Sequence, residues 1–232
     1  MKFTKALIKG KFLKRYKRFF ADVKVNKKII VSHCPNTGSM MGLLNENSDA
    51  WVSHVDDPKR KLKFTLQILK KSKNLVGVNT HLANKLVLEG LNNNSFLEFK
   101  NLEKVTSEVF YNKETRFDFL VEKKNKKLFI EVKNVTLIRD GKTAEFPDAV
   151  TKRGSKHIKT LMEASDNGYE TYVIFLVQIN NCNYFKIAND IDKEYYENYK
   201  TAKKSGVRFI AYNCSVGPNE IKINKKVQII DE

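Results

Sequence analysis

The sequence predicts an α+β protein of two domains: a small basic β-barrel over residues 1–80, then an α/β domain over residues 81–232. Three observations carry this expectation. The first eighty residues read as short strands separated by turn formers, the pattern of a small closed sheet. From residue 79 onward, helical and strand patterns alternate, as in layered α/β folds. The charge is lopsided in the same way. Residues 1–80 hold 18 Lys and Arg against 5 Asp and Glu, while residues 81–232 hold 25 against 21.

Taken in order, residues 3–31 contain apolar stretches between basic ones and end in the strand-like KKIIVSH. HCPNTGSMMGLL (33–44) is dense in turn formers and must be irregular. WVSHV (51–55) and KLKFTLQILKK (61–71) read as strands joined by the turn DDPKR. A helix then starts with Asn79 or Thr80 as cap, and Leu82, Leu86, Val87 and Leu91 follow at helical spacing. A hairpin over 116–133 follows, then a loop over 136–154 whose first residues, 136–138, extend the strand. SKHIKTLMEASDNG reads as a helix capped by Ser155 and stopped by Gly168. YETYVIFLVQ is a buried strand by its β-branched and aromatic content. A helix ending at Gly206 and two final strands, VRFIAYNCSV and EIKINKKVQI, complete the chain.

Composition narrows the function. With 41% hydrophobic and 30% charged residues, the chain suits a soluble globular protein. It has no apolar run of about 18 residues, the length a spanning helix needs. MKFTKALIKGKFLKRYKRFF lacks the apolar core and cleavage site of a secretory signal. Cys34, Cys182 and Cys214 lie far apart and odd in number, which argues against a disulfide framework or zinc ribbon and for a reducing compartment. A cytoplasmic location is expected. The net charge of +17, with eight basic and no acidic residues among the first 21, favours a polyanionic partner, most simply nucleic acid. Lysine outnumbers arginine 36 to 7, so part of the excess is what an A+T-rich genome would produce.

The stretch RFDFLVEKKNKKLFIEVK carries the chemistry. Phe117, Phe119 and Val121, with Leu128, Ile130 and Val132 on the return strand, alternate onto one apolar face. The other face carries Asp118, Glu131 and Lys133. A turn centred on Lys124 and Asn125 puts Asp118 opposite Glu131, and facing carboxylates repel unless a cation or proton sits between them. Two hard oxygen ligands for Mg²⁺ (or Mn²⁺), beside a lysine able to orient water or stabilise charge on phosphorus, are what a metal-dependent phosphodiesterase needs. Glu89, on the preceding helix, is a candidate third carboxylate ligand. The plain alternative is an exposed hairpin face with a cross-strand salt bridge.

Three further segments are candidates. Lys14-Arg15-Tyr16-Lys17-Arg18-Phe19-Phe20 interleaves cations with aromatics, which suits phosphate contact with base stacking. Read as strand, it puts Arg15, Lys17 and Phe19 on one face. Residues 33–40 could offer loop N–H groups to phosphate. A Cys34–His33 nucleophile pair lacks an orienting third group. Residues 146–157 deliver Arg153 and Lys156 to a helix N-terminus, a favourable place for phosphate; there His157 reads as incidental.

Together GKFLKRYKRFFADV, HCPNTGSMMGLL, VGVNTHLANKLVLEGL, TRFDFLVE, EVKNVTLI, FPDAVTKRGSKHIKTL and VIFLVQ resemble the sugar fermentation stimulation protein A family (SfsA), in order and over nearly the whole chain. The resemblance implies an N-terminal OB-fold barrel followed by a PD-(D/E)xK nuclease-like domain with a mixed sheet. It also implies a DNA-binding protein, double-stranded DNA being the expected form, linked to regulation of sugar (maltose) metabolism. On the nuclease pattern Asp118 is the first acidic position, with Phe117 where proline stands in the motif name, and Glu131-Val132-Lys133 is the E-x-K. Glu89 matches the first helix's acidic residue. An active nuclease and an RNA-binding or RNA-processing protein remain the alternatives, and a homo-oligomer is open.

Overall fold

The computed structural model describes residues 1–231. Five strands, β1 (Ile8–Tyr16), β2 (Phe20–Val25), β3 (Lys28–His33), β4 (Asp49–His54) and β5 (Phe64–Lys71), form a closed barrel, and β6 (Asn74–Gly77) adds to β5. β1 pairs antiparallel with β2 and β4, β2 with β3, and β4 with β5. The parallel pair β3–β5, through Ser32–Phe64 and His33–Thr65, closes the ring. Period-two alternation fills it: Ala21 and Val23 of β2 are fully buried, with Phe12, Val52 and Leu66 around them. The segment 34–48 between β3 and β4 has no strand or helix, as expected.

A short 3₁₀ turn (Thr80–Leu82), whose cap Asn79 accepts from the His81 N–H, leads into α1 (Ala83–Asn92). The second sheet then builds from β7 (Lys104–Phe110), β8 (Arg116–Lys123), β9 (Lys126–Val135), β10 (Leu137–Ile138), β11 (Thr143–Phe146), β12 (Glu170–Val177), β13 (Tyr184–Ile187), β14 (Arg208–Val216) and β15 (Ile221–Ile230). Their order is β10-β11-β13-β15-β14-β12-β9-β8-β7. The sheet is mixed: β9, β12 and β14 run parallel, while β7–β8–β9 is an antiparallel meander. Helices α2 (Lys152–Asp166) and α3 (Lys193–Lys204) pack together. Two apolar clusters form. One joins α1 (Leu86, Val87, Leu91) to Phe119, Ile130 and Ile174, and the other joins α2 and α3 (Ile158, Leu161, Tyr195) to Phe129, Val173 and Phe175.

Several elements depart from the sequence expectation, each for a local reason. The strand expected from residue 61 begins at Phe64, since Pro58 and Lys59 form a turn and Lys61 a bend before it. β7 lacks an apolar face, so its period is invisible. β11, four residues long, lies within the segment read as a loop, and β13, equally short, lies between the buried strand and the last helix in a stretch that no pattern marked. α2 starts at Lys152 rather than after Ser155, because Thr151 Oγ1 caps the Gly154 N–H at 3.1 Å; Ser155 lies buried inside the helix.

The chain enters and leaves the barrel through the second domain. Lys2 bridges to Glu220, and Phe3 N donates to Asn219 O at 3.0 Å. At the exit, Gly77 N donates to Gln178 O at 2.8 Å. Gln178, buried, also donates to Asn134 Oδ1 at 2.5 Å.

Candidate functional site

The hairpin β8–β9 has the expected register. Lys124 and Asn125 take positive φ (47° and 61°), the two-residue turn that matches strand twist, and Phe119 pairs with Ile130 and Val121 with Leu128. The pairing then ends one step short of Asp118 and Glu131. The apolar face is split there: Phe119 and Val121 join the α1 cluster, whereas Phe117 joins Phe129 in the α2 cluster. Where β8 leaves β9, the Asp118 carboxylate takes up the Val132 N–H on Oδ2 and the Asn84 amide of α1 on Oδ1, each at 2.7 Å.

The polar hairpin face is not a solvated one. Glu131 is 4% exposed and meets His157 of α2, whereas Asp118 meets Asn84 of α1. Glu131 Oε1 accepts from Lys133 Nζ at 2.8 Å and meets His157 Nδ1. Arg153 Nε donates to His157 Nε2 at 3.4 Å, so Nδ1 is the ring nitrogen left to carry the proton toward Glu131. Glu131 Oε2 is buried without a hydrogen-bond partner. Burial, reinforced by the Glu131 charge, pushes Asp118 up to about 6, against the Val132 and Asn84 hydrogen bonds. Burial also opposes ionisation of Glu131, but Lys133 and His157 outweigh it and hold its carboxyl below the usual value.

This arrangement fits a hard divalent ion. One carboxylate oxygen is buried with no donor, and the second carboxylate is pushed up to about 6 by burial, with its neighbour's charge adding to the rise. Among the described residues no three His, Cys, Asp or Glu side chains stand grouped as ligands. An ion here would therefore rest on Asp118 and Glu131. Glu89 is not brought to the pair: five residues beyond Asn84, it lies about 140° round the helix, where it binds the Met1 amino group at 2.8 Å.

The basic candidates divide. The strand expected over residues 14–20 breaks at Lys17 and Arg18, whose φ values of 47° and 61° make them an exposed turn between β1 and β2. Arg15 is not free for phosphate. Its guanidinium donates to the carbonyls of Arg18 and Gly38, each at 2.9 Å, and of Asn36 at 2.6 Å. It thus braces the irregular loop, which Asp148 holds from the second domain by accepting from Met40 N (3.0 Å) and Ser39 Oγ (3.2 Å). A Cβ on Gly38 would come within 2.7 Å of Asp148 Oδ2, so a side chain here would have to displace the Asp148 carboxylate. Cys34 is buried against Met40 Sδ, and burial raises its thiol, which makes it a packing residue. Lys156 is exposed and pairs with Glu114 at 2.8 Å. His157 and Asn84 are the site residues that sequence reasoning missed. The signal for His157 was its place on the buried face of α2; for Asn84 there was none.

A closed five-stranded OB-type barrel joined to a mixed-sheet domain, with Asp118, Glu131 and Lys133 on one hairpin, defines a two-domain α+β protein. Residues 13–78 match the SfsA N-terminal OB domain, and residues 81–220 match the sugar fermentation stimulation protein RE domain. The chain belongs to the sugar fermentation stimulation protein (SfsA) family. It is 65% identical over 231 residues to a sugar fermentation stimulation protein homolog of Pelagibacter ubique (strain HTCC1062), covering all of both chains. It is 38% identical to one of Pseudoalteromonas atlantica (strain T6c / ATCC BAA-1087), covering 99% of this chain and 100% of the relative. A solved structure of Pyrococcus furiosus SfsA in complex with Ca²⁺ superposes with a TM-score of 0.90 at 22% identity, covering 100% of this chain and 98% of that one. No helix among the described residues is long and apolar enough to cross a membrane.

Proposed function

We propose that this chain binds DNA and that Asp118, Glu131 and Lys133 form a Mg²⁺- or Mn²⁺-dependent phosphodiesterase site. The observation that carries this reading is the buried, unpartnered Glu131 Oε2 beside the Asp118 carboxylate. Such a pair costs stability unless a cation occupies it. The Ca²⁺ bound by the Pyrococcus furiosus protein of the same fold supports a divalent ion.

A divalent ion held by these carboxylates would polarise a phosphoryl oxygen and acidify a bound water. The chain's own residues supply the rest. His157 and Lys133 fix Glu131 through Oε1, which leaves Oε2 unpartnered and able to serve as a ligand. Lys133 would orient the attacking water and stabilise charge developing on the phosphate. Asp118 must be ionised, which sets an activity limb near pH 6. The exposed cations Lys17 and Arg18 of the barrel, with Arg153 and Lys156 of α2, would contact backbone phosphates. The sugar fermentation named in the relatives would follow from DNA occupancy by the barrel.

The test is cleavage of single-stranded, duplex and branched DNA, and of matched RNA, with Mg²⁺ or Mn²⁺. Asp118→Ala, Glu131→Ala and Lys133→Ala should each abolish cutting while binding persists. Absence of cleavage on every substrate would leave a DNA-binding protein without turnover.

A further inference from the structure

Lysine is so common in this chain that a surface lysine says little, but only seven arginines and four histidines occur. Three of these eleven residues gather at the seam between barrel and second domain. His33 closes β3, and its parallel partner on β5 is Thr65. Thr65 Oγ1 accepts from Arg60 Nη2 at 3.3 Å. Two residues further along β5, on the same face, Gln67 Oε1 accepts from Asn79 Nδ2 at 2.9 Å. Asn79 Oδ1 in turn caps the His81 N–H at 3.1 Å. Thr80 Oγ1 donates to Pro35 O at 2.6 Å, which pins the turn bearing His81 to the segment leaving His33.

The three groups feel one another. Burial, and then the charges of Arg60 and His81, hold His33 below the usual histidine value. The other two histidines each face a carboxylate, His54 meeting Asp56 and His157 meeting Glu131. His33, Arg60 and His81 form no ion pair among the described residues. His81 stands three residues, about one helical turn, before Asn84, whose amide holds Asp118.

We propose that His33, Arg60 and His81 form a phosphate subsite that grips one backbone phosphate of a nucleic-acid strand as it passes from the barrel to Asp118 and Glu131. The assignment of the strand rests on the phosphodiesterase reading. The arginine fork suits two phosphate oxygens at once, and the two imidazoles add N–H donors. An inorganic phosphate presents the same chemistry, so the test has two arms.

The ring resonances of the four histidines are followed by NMR while the intact protein, in EDTA to prevent cutting, is titrated with a short oligonucleotide and separately with inorganic phosphate. The expected result is saturable movement of His33 and His81 with the oligonucleotide, while His54 stays still. Arg60→Gln should weaken oligonucleotide binding about three- to tenfold and lower the slope of log K against log salt by about one. Arg60→Lys, which keeps the charge without the fork, should lose less. Oligonucleotide binding that leaves both rings unmoved overturns the subsite and leaves the phosphodiesterase reading intact. Phosphate moving both rings while no oligonucleotide binds overturns the assignment to a nucleic-acid strand and leaves a site for the free anion. Silence in both arms overturns the subsite.

Discussion

Replacing Asp118 by asparagine should make the metal-free protein more stable at pH 8, while removing whatever catalysis the site performs. Asp118 titrates at about 6 in the folded protein against 3.8 for the free group. The folded state therefore holds the proton more tightly than the unfolded chain does. The stability this confers is complete below pH 3.8 and disappears as pH rises through about 6. Above that, ionised Asp118 costs roughly two pKa steps at ~1.4 kcal/mol each, or about 3 kcal/mol. Asparagine carries no charge and can still accept the Val132 N–H, so it should recover about 1–3 kcal/mol of this. For a chain of this size that is a melting-temperature gain of about 2–10 °C. Calorimetry or dye-monitored melting of both proteins in EDTA, from pH 4 to 8.5, measures it. The gain should vanish near pH 4. Adding Mg²⁺ or Ca²⁺ should raise the parent selectively, by about 2.7 kcal/mol at a hundredfold excess over Kd. A variant less stable than the parent at pH 8, or a difference independent of pH, would refute the electrostatic account of this pair.

Other outcomes follow from the same geometry. Arg15→Ala should destabilise the protein by about 2–4 kcal/mol, since it strips a charged donor from three loop carbonyls; urea unfolding reads this directly. Charge reversal at Lys17 and Arg18, which are exposed and form no side-chain bond of their own among the described residues, should weaken DNA binding and flatten its salt dependence with unchanged melting, as a gel-shift titration with salt would register. His157→Ala frees Glu131 Oε1 from one of its two partners, so it should lower kcat and shift the acid limb of the pH–rate profile, with His157→Gln partly restoring both. Glu131 is held below its usual value, so its contribution to stability is present above pH 4.5 and is lost as pH falls through its lower folded value. Glu131→Gln should accordingly flatten the acid branch of the stability curve.

The hairpin was legible in sequence because two independent periods agreed: alternation along each strand, and a two-residue turn that fixed the pairing. What alternation cannot express is the place where pairing stops. The departure of β8 at Asp118 depends on Asn84, a helix residue 34 positions earlier whose amide substitutes for a ladder partner. The burial of Glu131 was hidden for a related reason. Its cover, α2, comes from a segment whose first turn is set by Thr151, and the helix start read at Ser155 left Arg153 outside the helix and His157 incidental. Glu89 and Arg15 looked equivalent to the other charged candidates because sequence shows a charge but not its partner. One is taken by the Met1 amine and the other by the carbonyls of a loop.

The barrel's attachment bears on how a long substrate could be handled. A module joined by a single linker can swing, clamp and release. Here residues 1–3 run beside the start of β15, and the chain comes back at Gly77 against Gln178. Two moorings leave at most rocking about the line between them, and the loop held by Arg15 on one side and Asp148 on the other resists even that. Any track from barrel to carboxylates would then be of fixed length and direction. Flexibility has to come from the polymer, and strands that bend or unpair easily should be favoured over stiff duplex.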